Sequence, residues 1–286
     1  MDPVQPRRVG AYLHADESGH LPSRGPGNSI KEPWASPVQL LADAYVSEWG
    51  ATLHSLYIRG SVARNLAIPG VSDIDSFGVL NPGVAVPDPR RLSAWSESVT
   101  REVEERFPFV AGVEVDLVPF EAALDRTNFY AFILMTEAVC VHGDCLADRL
   151  EPFKLSEANF QTRYFRQHLD VFISEYPAEP VQDQPGFVAW LAKRFLRLGM
   201  ELVMEKENRY TRDLYLCYES FADHYPAQAQ RMRRALELAV NPVANEEVEA
   251  FLLESGEWLA AEADGKLALT QLAARAPMLR HELRDE

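Results

Sequence analysis

The stretch RGSVARNLAIPGVSDID, residues 59–75, restricts the fold more than any other part of the chain. Just before and into it, LHSLYIRG (53–60) reads as a buried strand that ends at a glycine. VARNLAI (62–68) suits a short helix, PGVS (69–72) a turn, and DIDSFGVL (73–80) alternates as a second strand. Alternate side chains of a strand share a face, so Asp73 and Asp75 project together while Ile74 turns to the core. The segment between must bring the chain back so that the second strand lies beside the first. A pair of strands carrying two carboxylates next to a Gly-Ser turn is therefore the element around which the rest has to be arranged.

Two neighbouring carboxylates repel each other unless a cation sits between them. Mg²⁺ is the hard, oxygen-seeking ion that such a pair holds together with phosphate oxygens. Residues 112–120, GVEVDLVPF, read as a third strand, with Val113, Val115 and Leu117 facing one way and Glu114 and Asp116 the other. Either acidic residue completes a site for two ions, an arrangement that orients and neutralises an in-line displacement at phosphorus. Gly60 and Ser61, at a strand-to-helix turn, offer backbone N–H groups and a hydroxyl that can cradle a triphosphate. At Gly60 a Cβ would collide with that phosphate, which gives the glycine a reason to be there.

Gly-Ser, then D-x-D, then a strand carrying an acidic residue resembles the polymerase β-like nucleotidyltransferase superfamily, over roughly residues 50–120. Within it the chain is most similar to the small-molecule, aminoglycoside-type antibiotic adenylyltransferases, which pair a mixed-sheet catalytic domain with a helical C-terminal domain. The resemblance implies that Ser61 binds the triphosphate, that Ser72 assists, and that Asp73 and Asp75 bind Mg²⁺. VDLV (115–118) resembles the superfamily strand and makes Asp116 the third metal ligand. VEV (113–115) resembles the adenylyltransferase strand and points to Glu114 as the base that deprotonates the acceptor hydroxyl. RFLRLGMELVMEKENRYTRDL (194–214) resembles the family segment that reaches toward the triphosphate, which places Arg197 and Arg212 there, although the turn between them is longer in this chain. Arg64 can touch phosphate or be solvated, and Arg212 can do the same or lie on the surface, with Thr211 as the N-cap of its helix. Arg59 is read as pointing to the opposite face of the sheet.

The expected fold is α+β: a mixed-sheet nucleotidyltransferase domain over residues 1–150, with 1–36 an extended arm or loops, then an all-α helical bundle over 151–286. After residue 150 the apolar positions recur at helical spacing, as in Phe160, Phe165, Leu169 and Phe172. The acceptor is expected between the two domains. With 28 Lys plus Arg against 43 Asp plus Glu the net charge is −15, which argues against nucleic-acid partners and favours a cationic acceptor. No apolar run is long enough to span a bilayer, and the N-terminal residues lack the apolar core of a signal peptide. Cys140, Cys145 and Cys217 have neither metal-ligand spacing nor the look of a disulfide framework, so a reducing, cytoplasmic setting is expected.

The reaction these readings imply is Mg²⁺-dependent transfer of AMP from ATP, the co-substrate, to a hydroxyl of a small cationic acceptor such as an aminoglycoside, with release of pyrophosphate. Antibiotic resistance is implied by the resemblance alone. The alternatives are an antitoxin-like enzyme that adds AMP to a protein partner, and an inactive nucleotide-binding relic.

Overall fold

A computed structural model of the chain describes residues 4–23 and 29–282, so most of the Pro- and Gly-rich stretch 22–29 lies outside the described residues. The structure is α+β and divides into two compact units, one formed by Leu21–Phe153 and the other by the segments on either side of it. No helix among the described residues is long and apolar enough to cross a membrane.

The first segment differs from the sequence reading of an arm belonging to the sheet domain. Strand β1 (Leu13–His14) pairs antiparallel with residues of the helical unit, Leu13 opposite Tyr210 and His14 opposite Arg209. Ala11 N–H donates to Asp213 Oδ2 (2.9 Å), and the Thr211 hydroxyl donates to the Ala11 carbonyl (2.9 Å). Backbone groups that an arm would leave to water are satisfied here by side chains some two hundred positions away.

In the sheet unit the chain runs α1 (Ala35–Trp49), β2 (Leu53–Arg59), the single turn α2 (Gly60–Ala63), β3 (Ile74–Leu80), α3 (Pro89–Arg106), β4 (Val113–Glu114), β5 (Leu117–Val118), α4 (Phe120–Leu124), α5 (Phe129–Thr136) and β6 (Val139–Gly143). The strand order is β4-β3-β2-β6, with β5 continuing beside β3. β2 is antiparallel to β3 and β6, whereas β4 and β5 are parallel to β3, so the sheet is mixed. α3 makes the crossover that parallel β3 and β4 require. Its start is set by Asp88, whose carboxylate accepts the Arg90 N–H (2.8 Å), and by Pro89 at the first helical position.

α1 and α3 cover one face. Val38, Leu41, Tyr45 and Trp49 recur along α1 at spacings of three and four and meet Val99 and Val103 of α3 over Leu56, Ile58, Ile74 and Leu80. Each such side chain contributes about 1.5–3 kcal/mol by leaving water. With Ile58 and Ile74 committed to this core, Arg59 and Asp75 must emerge on the other face. There Tyr57 stacks on Phe77 (5.2 Å between ring centroids), and Phe77 meets Tyr130 of α5 (5.0 Å).

Two local expectations change. The helix expected over 62–68 is one turn, because Asn65 adopts a left-handed conformation (φ 56°) and Pro69 follows. The third strand is interrupted at residues 115 and 116, where two buried hydroxyls stand in for sheet bonds. Ser76 Oγ donates to the Glu114 carbonyl (2.8 Å), and Asp116 N–H donates to the Tyr45 hydroxyl (3.3 Å).

The helical unit comprises α6 (Phe160–Glu175), α7 (Gln184–Glu207), the short strand β7 (Arg209–Tyr210) that receives β1, α8 (Leu214–His224), α9 (Ala229–Val240) and α10 (Glu246–Glu282). α7 is its centre and packs against the other four helices through Val188, Leu191, Phe195, Leu196 and Val203. Asp213, not Thr211, holds the cap position of α8, and the Thr211 hydroxyl instead accepts the Asp213 N–H (3.2 Å).

Candidate active site

Three charged side chains stand in a row across three strands. Asp75 of β3 is opposite Arg59 of β2 in the antiparallel register and opposite Glu114 of β4 in the parallel one. Arg59 Nη1 lies 3.3 Å from Asp75 Oδ1, and Nη2 is bonded to Glu114 Oε1. The Arg59 and Asp75 side chains are only 15% and 16% exposed, whereas that of Glu114 is 54% exposed and faces outward. This corrects the assignment of Arg59 to the opposite face.

The charges tune one another. Burial works to lower the Arg59 pKa, but Asp75, Glu114 and then Glu137 outweigh it and hold the guanidinium firmly charged. Burial raises the Glu114 carboxyl, Arg59 pulls it back, and Asp75 and Asp73 push it up again, leaving it above its ordinary value. Asp73, half-buried one residue ahead of β3, is thus close enough to act on Glu114.

Among the described residues no three of His, Cys, Asp or Glu are gathered as a ready set of metal ligands. The expected grouping of Asp73, Asp75 and Asp116 is therefore not preassembled, and the reason is local. Asp116 Oδ2 accepts the Tyr130 hydroxyl and Oδ1 accepts the Leu117 N–H (3.0 Å), while a guanidinium stands between Asp75 and Glu114. Burial, and then Asp116, raise the Tyr130 pKa, which keeps that phenol a donor. The donor chemistry nonetheless fits a hard dication: Asp73, Asp75, Glu114 and Asp116 all offer carboxylate oxygens on or beside β3 and β4, and Arg59 brings a single charge to Asp75 and Glu114.

Gly60 follows Arg59 with φ 74°, and a Cβ there would collide with Asp75 Oδ2. The glycine is thus explained by the close approach of Asp75 as well as by its left-handed backbone. Ser61 lies next to it, partly exposed. Arg64 Nη1 pairs with Glu137 Oε2 (2.8 Å) where both side chains are largely buried. The Ser72 hydroxyl accepts the Ile68 N–H (2.9 Å) and its own N–H donates to the Ile68 carbonyl (2.9 Å), so Ser72 closes the turn ahead of Asp73. Arg197 and Arg212 belong to the helical unit. Arg197 is half-buried on α7, and Arg212 is buried between β7 and α8, not on the surface.

Sequence reasoning missed Arg59, Tyr130 and Glu137. The signal for Arg59 is parity: Ile58 faces the core, so its neighbour shares the face of Asp75. Tyr130 and Glu137 carry no such signal, since α5 and its end meet the site only through tertiary packing.

No protein-family model matches the chain, and no curated protein matches it. Among solved structures the chain is similar to a spectinomycin adenyltransferase, AAD(9), from Enterococcus faecialis, crystallised with ATP and spectinomycin. The two share 9% identity at a TM-score of 0.47, over 80% of this chain and 98% of that one. At that identity and score the likeness assigns no role to any residue of this chain.

Proposed function

We propose that the chain is a Mg²⁺-dependent nucleotidyltransferase that moves AMP from ATP to a hydroxyl of a small, cationic acceptor and releases pyrophosphate. The observation that carries this reading is the row Arg59, Asp75 and Glu114, with Asp73 beside it and the Gly60 turn packed on the Asp75 carboxylate. Asp73 and Asp75 would hold the metal, and Asp116, oriented by Tyr130, would be the third ligand. Bound Mg²⁺ supplies charge neutralisation on the phosphate oxygens and alignment for displacement at phosphorus. Ser61 and the N–H groups of its turn would hold the triphosphate, and Ser72 would fix the approach of Asp73. Arg64 would supply a further phosphate contact from the same unit.

Glu114 has the features of the base. Its carboxylate is outward-facing, sits beside Asp75, and has a raised affinity for a proton. It would take the acceptor's hydroxyl proton as the oxygen attacks the α-phosphorus. A net charge of −15 draws a cationic acceptor such as an aminoglycoside toward the protein, and a role in antibiotic resistance would follow from the resemblance alone.

The test is mass spectrometry after incubation with Mg²⁺, ATP and a panel of aminoglycosides and other hydroxylated antibiotics, with Asp73→Ala as control. An AMP adduct on one compound, absent with the variant, supports the reading and names the acceptor class. Retention of Mg²⁺–ATP with no adduct shifts the acceptor to a protein partner or to a metabolite outside the panel. Failure to bind ATP overturns the reading.

A further inference from the structure

Cys140 lies in β6 and Cys145 just beyond its end, across the turn at Gly143, with Cys140 on the side of the sheet that carries Tyr57. Cys140 is opposite Tyr57 in the β2–β6 register, and the register then slips so that His142 and Gly143 pair with Leu56 and Ser55. Gly143 has φ 75°, and a Cβ there would collide with the His54 carbonyl, so the chain hugs β2 as it turns. The Tyr57 hydroxyl donates to the Asp144 carbonyl (3.2 Å) and accepts the Leu146 N–H (2.8 Å), which fixes the residues on both sides of Cys145. The Cys140 thiol rests on the carbonyls of His142 (3.4 Å) and Gly143 (3.7 Å), at the inside of the same turn.

Cys145 is near enough to bear on the Cys140 thiol, and both bear on the Tyr57 phenol. Both are partly exposed, whereas Cys217 is buried in the helical unit. Among the described residues no third His, Asp or Glu joins them as a metal-ligand set.

We propose that Cys140 and Cys145 form a redox-modification site, converted by a low-molecular-weight disulfide of the glutathione type into an intramolecular disulfide that closes residues 141–144 into a loop. The Cys145 thiol loses its proton to solvent, and its sulfur attacks one sulfur of the reagent, breaking that S–S bond and releasing one thiolate. That thiolate takes the Cys140 proton. Cys140 sulfur then attacks Cys145 Sγ in the mixed disulfide and expels the second thiolate, which is protonated from solvent. Two protein thiols are oxidised and one reagent disulfide is reduced to two thiols. Burial, and then Cys145, push the Cys140 thiol up to about 11, which disfavours it as the first attacker. The inference stands on these residues alone and is independent of the proposed transfer reaction.

The full chain is incubated with oxidised glutathione, alkylated in the folded state, and mapped by peptide mass spectrometry without reduction. The expected product is a peptide carrying a Cys140–Cys145 link, two hydrogens lighter than the dithiol and restored by dithiothreitol. Cys140→Ser is expected to trap glutathione on Cys145. Stable glutathione on Cys145 of the unsubstituted protein with Cys140 still alkylatable would overturn the proposal. So would two unmodified thiols, or a link from either to Cys217. The map of the unsubstituted protein decides the matter even if the variant does not fold.

Discussion

Arg59 and Asp75 face each other across the antiparallel β2–β3 register, and the guanidinium that reaches Asp75 Oδ1 at 3.3 Å also holds Glu114 on the strand beyond. The protein thus places its own cation between carboxylates of two neighbouring strands. Replacing it by an uncharged side chain of similar length, Arg59→Met, leaves Asp75 and Glu114 facing each other without the guanidinium between them. Stability is expected to fall by about 1–3 kcal/mol at neutral pH. Mg²⁺ is expected to restore part of that loss, and to stabilise the variant more than the parent. Urea unfolding of both proteins with and without Mg²⁺ checks this. An equal response to Mg²⁺ in the two would show that these carboxylates do not bind the ion.

Gly60 and Gly70 make a matched pair for a second test. Both have left-handed backbones (φ 74° and 77°), but a Cβ at Gly60 meets the Asp75 carboxylate whereas one at Gly70 meets nothing within 4 Å. Gly70→Ala should cost about 1–2 kcal/mol, the backbone penalty alone. Gly60→Ala should cost more and should abolish the proposed AMP transfer, because Asp75 has to move. Equal unfolding free energies for the two variants would mean that the contact with Asp75 has no energetic weight.

Glu201 of α7 is buried and accepts the N–H groups of Gln161 (2.9 Å) and Thr162 (2.7 Å) and the Thr162 hydroxyl (2.9 Å), so it caps the first turn of α6 from another helix. Burial, opposed by those bonds and by Lys266, pushes its pKa up to about 7 from an ordinary 4.5. Over that window the folded state keeps a proton that the unfolded state has released. The stability due to this proton is complete below the unfolded pKa and is lost as the pH rises to about 7, with a slope of at most ~1.4 kcal/mol per pH unit. Glu201→Gln should remove that slope. Denaturant unfolding of both proteins between about pH 5 and 8 measures it, and parallel curves would show that Glu201 folds as a carboxylate.

How much of this was legible depends on how local each feature is. Asp75 and Glu114 are readable because strand alternation and the core-facing Ile74 fix their parity within a few residues. Arg59 obeys the same parity, but its place opposite Asp75 follows from the register, which a strand ending at a glycine does not reveal. Asp116 shows the limit more sharply. Alternation groups it with Glu114, yet the strand is interrupted there, and its partner Tyr130 comes from a helix that is apolar all round and shows no amphipathic signal. The pairing of β1 with β7 leaves no trace at all, since two-residue strands nearly two hundred positions apart carry no pattern of their own.

Tyr45 tests whether the face opposite the carboxylates positions them. Its hydroxyl meets Ser76 Oγ (3.0 Å) and accepts the Asp116 N–H (3.3 Å), and Ser76 Oγ in turn donates to the Glu114 carbonyl (2.8 Å). These bonds hold the backbone on which Glu114 and Asp116 ride, at the point where the strand is interrupted. Tyr45→Phe keeps the ring, including its edge contact with Trp95 (4.9 Å), and removes only the hydroxyl. The Asp116 N–H then loses its partner, at a cost of about 1–3 kcal/mol. The proposed AMP transfer should slow by about tenfold or more, in kcat and not in KM for ATP, because the carboxylates shift while the Ser61 turn stays in place. Ser76→Ala should do less, since the bond from Asp116 to Tyr45 survives it. Steady-state kinetics beside urea unfolding separate the two effects. A destabilised Tyr45→Phe variant with unchanged kcat would mean that the hydroxyl holds the fold together but does not set the geometry of the carboxylates.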